Sequence, residues 1–242
     1  MEFKQFLLED EKSLENAVEA IKRDCSEFLN DSKGLPLFRG FKNKNNLTYV
    51  LTHNERQTLS LSKPFTTLFN LYVEEKFGIK NIRIKNSMFG AGTEMGTWGY
   101  GKIHFVFPIN GYKFVWSPLI NDLYDAKDSL SNKFEDNEDK KTNKALKLFN
   151  SYIPDIWPNV SFNYIEGDPE LFKVYEQIQP TIKLVFDKEK YTDKNLGEAL
   201  SSGYEIMFQT KAFYAIAVSK DAFVFHHVDK EYKTILDKIN EA

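Results

Sequence analysis

The sequence predicts an α+β fold. Stretches with helical spacing of apolar residues alternate with short runs of strand character, and residues 102–117 read as an antiparallel hairpin turning at Asn110-Gly111, the commonest hairpin dipeptide. No internal repeat is visible, which excludes a solenoid or propeller. At 242 residues the chain is long enough for one large domain or two small ones, either with a proper core. With 21 Phe and 12 Tyr, that core should be built from packed rings.

The elements follow in order. Residues 1–12, "MEFKQFLLEDEK", form a short amphipathic segment with Phe3, Phe6, Leu7 and Leu8 set against Glu9, Asp10 and Glu11. Ser13 can cap a longer helix whose buried face is Leu14, Ala17, Val18, Ile21, Cys25, Phe28 and Leu29, with Gly34 as its stop. "GLPLFRGF" then reads as a very short strand bracketed by Pro36 and Gly40. Residues 42–63 are polar and Asn-rich and read as an irregular loop carrying His53 and Arg56. Pro64 opens the clearest helix, with Phe65, Leu68, Phe69, Leu71, Tyr72 and Phe77 inward and Gly78 as its stop. From residue 79 the pattern changes to strands: alternating "IKNIRIKNSMF", a Gly-rich turn "GAGTEMGTWGYG", then the hairpin strands "KIHFVFPI" and "YKFVWS". Residues 129–144 are a charged insertion. Helices are expected near 144–152, 169–178 and 192–203, closing strands in "YEIMFQTKAFYAIAV" and "AFVFHHV", and a last amphipathic helix at the carboxyl end.

Composition narrows the function. A net charge of −3 gives the whole molecule no pull toward a polyanion, so a nucleic-acid footprint is possible only as a local patch. The single cysteine excludes an internal disulfide and a Cys-rich zinc site. His226 and His227 are adjacent, so on a strand they point to opposite faces; no metal is expected. No run reaches the roughly 20 apolar residues of a membrane span, so no membrane partner is expected and the chain reads as soluble.

Three polar residues stand where a strand or a glycine opens space: Arg39 in "LFRG", Ser87 in "NSMFGAG" and Glu205 in "SGYEIMF". That order of Arg, Ser and Glu resembles the Arg-Ser-Glu class of ADP-ribosyltransferases. The pieces "LPLFRG", "SMFGAG", "YG", "VFPI", "WSP", "DLY", "EIM" and "YAI" are similar to a set of tailed-phage, T-even-like proteins. The resemblance implies one ADP-ribosyltransferase-like domain over residues 13–242, built on a mixed, largely antiparallel split sheet. It implies NAD as substrate, with Glu205 as the catalytic group that holds the 2′-hydroxyl of the nicotinamide ribose and stabilises the oxocarbenium-like charge. Arg39 would meet phosphate or ribose as a planar donor fork, Ser87 would bond the ribose or brace Glu205, and the backbone at Gly90 and Gly92 would approach the nicotinamide amide. Tyr100 would stack on a ring of the dinucleotide. His53 and Arg56 would touch substrate.

The implied partner is a host protein or other host macromolecule, and the implied location is the host cytoplasm. Leu7-Leu8-Glu9 is similar to the cleavage pattern of short capsid-targeting segments, which implies packaging in the virion and injection with the DNA. Arginine-modifying members carry an acid two residues before the catalytic glutamate; here that position is Gly203, which leaves the acceptor open. Read from residue chemistry alone, Arg39 has a second reading, a structural arginine paired with Glu205. A non-catalytic binding protein on the same fold, an internal capsid protein or an inhibitor of a host defence protein, is the alternative function.

Overall fold

The computed structural model describes residues 11–42, 46–52, 63–123, 140–156, 161–219 and 227–241. These fall in two compact units, one drawn from Met1–His53, Met88–Trp116 and Asp193–Ala242, the other from Asn54–Ser87 and Ser117–Thr192. The class is α+β.

The first unit holds helices α1 (Glu11–Asp24) and α2 (Ser26–Asp31), strands β1 (Phe38–Phe41) and β2 (Leu47–Leu51), strand β3 (Ser87–Ala91), a 3-10 helix (Glu94–Tyr100), strands β4 (Lys102–Pro108) and β5 (Lys113–Trp116), and later elements described below. Together with β6 (Glu205–Gln209) and β7 (Ala212–Ala217), the strands form one seven-stranded sheet in the order β2-β7-β4-β1-β3-β6-β5, and the pairings with a defined register are antiparallel. β6 and β7 are the closing strands, and α8 (Val228–Glu241) is the last helix. On one face of the sheet Phe38 meets Phe105 at 5.3 Å, while Phe105 and Phe107 meet Tyr232 of α8 at 5.0 and 6.1 Å. Phe28 of α2 closes on Phe107 edge-on at 6.1 Å. This is the ring-built core that the composition predicts.

The second unit is helical, with α3 (Lys63–Phe77), α4 (Lys140–Ile156), α5 (Phe162–Glu166) and α6 (Pro169–Lys188). α3 is buried along most of its length, from Phe65 to Glu74. Its aromatic side packs Phe65, Phe69 and Tyr72 around Phe186 at 6.0, 5.2 and 5.0 Å. α6 starts on a capping Asp168, whose carboxylate accepts from Glu170 and Leu171 N–H, and has Pro169 in its first turn. It runs through Pro180 to Lys188, ten residues past the expected end. Buried Ile178, Ile182, Val185 and Phe186 hold the second half in place despite the missing donor at Pro180.

Several element expectations change. Ser13 does not start the first helix; the helix begins at Glu11 and breaks at Cys25, where the chain leaves helical geometry at ψ 21°. The hairpin expected over "KIHFVFPI" and "YKFVWS" does not form: β4 pairs with β1 and β7, while β5 pairs with β6 at the edge of the sheet, with β1, β3 and β6 between them. The Asn110-Gly111 turn that joins them fills the break at Cys25 instead: Asn110 N–H donates to Asp24 O at 2.6 Å, Asn110 Oδ1 accepts from Glu27 N–H at 3.0 Å, and Gly111 N–H donates to Glu27 Oε2 at 2.6 Å. The region read as a loop over 42–63 contains β2, five residues that pair with β7. Residues 79–86 alternate like a strand but form a turn. Asn81 and Asn86 sit in the left-handed region at φ 54° and 52°, and Asn81 O accepts from Ile84 and Lys85 N–H. The Gly-rich segment is largely 3-10 helix. α4 starts at Lys140, within the stretch read as a charged insertion; residues 129–139, like the targeting-like segment at 1–10, His53, Arg56 and His226, lie outside the described residues. So does "AFVFHHV" up to His226; Val228 opens α8 rather than closing a strand.

Candidate functional site

Arg39 is set by strand pairing. β1 runs antiparallel to β4 with Arg39 opposite His104 and Phe41 opposite Lys102, so Arg39, Phe41 and His104 share one face of the sheet. Pro36 cannot continue a ladder and Gly40 is required next to the 3-10 helix, where a Cβ would run into the Thr97 carbonyl and touch Tyr100. The strand is therefore short, with its arginine half-buried near the middle.

The guanidinium is held on two sides. Nη1 donates to the Phe89 carbonyl of β3 at 2.6 Å, and Cζ lies 6.0 Å from the centroid of the Phe213 ring on β7. Phe41 stacks on His104 with centroids 4.0 Å apart and meets Phe213 edge-on at 6.2 Å. His104 is fully buried, and its Nδ1 lies 2.8 Å from the Lys102 carbonyl, so Nδ1 carries the hydrogen.

This face is concave in its strand path, and its side chains pack on one another, with His104 and Phe213 buried. Phe41 sits opposite Lys102 and Phe213 opposite Pro108, six residues apart along β4. On a flat sheet that is ~20 Å, more than two phenylalanine side chains can span. Their rings meet at 6.2 Å only because the sheet curls toward the Arg39 side.

Glu205 opens β6 and is half-buried. Two devices fix its position. Gly203 ends α7 (Leu196–Ser202) in the left-handed region at φ 75°, and Ser202 Oγ accepts from Tyr204 N–H at 3.1 Å. β6 and β1 flank β3 in the sheet, so Arg39 and Glu205 lie on strands separated by one strand.

Ser87 is the first residue of β3. It is buried, and its hydroxyl donates to the Ile82 carbonyl at 2.5 Å, closing the turn that precedes the strand. The two glycines have chain-packing roles. A Cβ at Gly90 would lie 2.7 Å from Leu37 Cδ1 and from Phe38 O, and one at Gly92 would overlap the Leu200 carbonyl of α7. Tyr100 is 70% exposed and packs beside Gly40, on the side of β1 away from the Arg39 side chain. Arg39, Phe89, Phe41, His104 and Phe213 thus form one cluster; Tyr100 is not part of it.

The sequence reading missed Phe41, His104 and Phe213. Alternation gives Phe41 the same face as Arg39, a signal present in "FRGF" itself. His104 and Phe213 come from strands far along the chain, and only the pairing reveals them. Among the described residues no group of three or more His, Cys, Asp and Glu is arranged to hold a metal ion, and no helix is long and apolar enough to cross a membrane. No family model, curated protein or solved structure matches the chain.

Proposed function

We propose that the chain is an ADP-ribosyltransferase-like protein that binds NAD at the Arg39 face of the sheet and transfers ADP-ribose to a host macromolecule. One observation carries the reading: the arginine and the glutamate of the Arg-Ser-Glu order lie on β1 and β6, flanking the strand that the serine opens. The guanidinium, charged at any physiological pH, supplies a fork of donors for a phosphate. The half-buried Phe41 on the same face offers an aromatic base a ring to pack against.

In the reaction, the C1′–N bond between ribose and nicotinamide breaks and its electron pair leaves with nicotinamide. Glu205 holds the ribose 2′-hydroxyl and offsets the positive charge that grows on the ring; a nucleophile of the acceptor then forms the new bond to C1′ and loses its proton. The proposed setting is a phage-infected host cell, with packaging in the virion as the route of entry. Incubation with labelled NAD and host lysate tests this. Label transfer by the wild type and its loss in Glu205→Ala supports the reading; no transfer and no nicotinamide release by the wild type overturns it.

A non-catalytic binder is the second reading, and a different observation favours it. The Nη1 of Arg39 and the hydroxyl of Ser87 are both engaged by main-chain carbonyls, as structural residues would be. A protein that binds NAD without releasing nicotinamide fits this reading and excludes the first.

A further inference from the structure

The second unit carries a polar seam through its core. At 100° per residue, Thr66, Thr67, Asn70 and Glu74 of α3 fall within about 100° of helix surface, well separated from the aromatic stripe of Phe65, Phe69 and Tyr72. All four are buried: the two threonines have no exposed surface and Asn70 is 2% exposed. Four buried polar residues on one stripe of a core helix are unusual, because each costs free energy unless it is hydrogen-bonded.

The far wall of the seam is defined by contacts. Asn70 Oδ1 accepts from Arg83 N–H at 3.1 Å, which brings the turn of Asn81 and Arg83 against the middle of the stripe. Glu74 pairs with Lys80 at 3.6 Å and accepts from Phe162 N–H at 3.0 Å. The Phe162 ring in turn lies 6.1 Å from that of Tyr175 on α6. The carboxyl group of the stripe therefore has its partners within the unit.

Five neutral groups on this seam and its walls have no such partner: Thr66 Oγ1, Thr67 Oγ1, Asn70 Nδ2, Asn81 Oδ1 and Tyr175 Oη are buried with no hydrogen-bond partner among the described residues. With its oxygen taken by Arg83 N–H, Asn70 presents a donor; Asn81 presents an acceptor; the three hydroxyls can act as either. We propose that the seam is a binding site for a small neutral molecule that offers both a hydrogen-bond donor and an acceptor. Water supplies that chemistry at the smallest scale and a small amide at the next. The site belongs to the second unit alone and does not depend on the NAD reading.

Isosteric substitution tests it on the full chain. A threonine hydroxyl left bare in a core is better replaced by a methyl group, so Thr67→Val raises the unfolding midpoint if nothing occupies the seam; a hydroxyl bonded to a guest loses that bond. Thr66→Val, Thr67→Val and Tyr175→Phe are each expected to lower the midpoint by about 2–4 °C, with Thr67→Ser falling less than Thr67→Val. Unchanged or raised midpoints in the Val and Phe variants overturn the proposal. Acetamide distinguishes the two sources. A midpoint that rises with acetamide in the wild type, and not in the Thr66→Val/Thr67→Val double variant, assigns the site to amides; no such difference, together with lowered midpoints in the single variants, assigns it to water. A crystal structure gives the second readout: density within hydrogen-bond distance of Thr67 Oγ1 and Asn70 Nδ2 supports the site, and a dry seam overturns it.

Discussion

Arg39 is fixed before any ligand arrives. Its bond to the Phe89 carbonyl and its approach to Phe213 restrict the guanidinium to one orientation, so the fork geometry rather than the charge alone should matter. Arg39→Lys keeps the charge and is expected to weaken NAD binding by ~10-fold or more, about 1.4 kcal/mol, in a direct titration. A Kd equal to that of the wild type would remove Arg39 from the site. Much about this residue is legible in the chain: a charged side chain between Phe38 and Gly40 in a short strand had to face something specific. Its surroundings are not, because β3, β4 and β7 are distant in sequence and a pairing register cannot be read from any one of them.

The glycines illustrate the same limit. A glycine-rich stretch announces close approach, but whether ligand or chain does the approaching depends on packing. At Gly92 it is the Leu200 carbonyl, so Gly92→Ala is expected to destabilise the protein by about 3 kcal/mol or more in a denaturant titration. Asp24 gives a pH dependence. Its bond to Arg23, helped by Tyr214, holds its carboxyl below the ordinary carboxylate range against the opposing effect of burial. A lowered folded pKa means that the stabilisation is complete above the unfolded value of about 3.9 and is lost as pH falls through the folded value. Asp24→Asn should therefore narrow the stability gap between neutral pH and pH 3 in acid titrations; an unchanged acid limb would contradict the assignment.

At the scale of elements, the Asn110-Gly111 turn joins two strands that lie apart in the sheet, β4 beside β1 and β7 and β5 at the edge beside β6. Asn110-Gly111 was readable as a turn from its dipeptide alone, whereas its second role, bonding the broken junction of α1 and α2, required the folded chain. Asn110→Ala removes that side-chain cap and is expected to cost about 1 kcal/mol of stability by thermal or chemical unfolding, more than an ordinary exposed position. Periodicity identified α3 and α8 because both carry long apolar faces. It failed at 79–86, where the apolar positions alternate by two but Asn81 and Asn86 turn the chain, and at β2, where five strand-forming residues are hidden between polar runs. Local pattern loses to tertiary pairing when an element is only five residues long.

At the scale of the molecule, the α+β class was legible because helical and strand periods both occur; the strand pairing was not, because β4 and β5, neighbours in the chain, pair with strands far from them in sequence rather than with each other. The division into a sheet unit and a helical unit was not, because the chain crosses between them four times without a linker-like composition. The functional proposal places its chemistry in the sheet unit and the neutral seam in the helical one, so each stands or falls by its own experiment. For the NAD reading the decisive measurement is nicotinamide release by the purified protein from NAD, with Glu205→Gln beside it. The account predicts measurable release by the wild type and a loss of ~100-fold or more in the variant. Equal rates in the two proteins, or no release by the wild type, would contradict it.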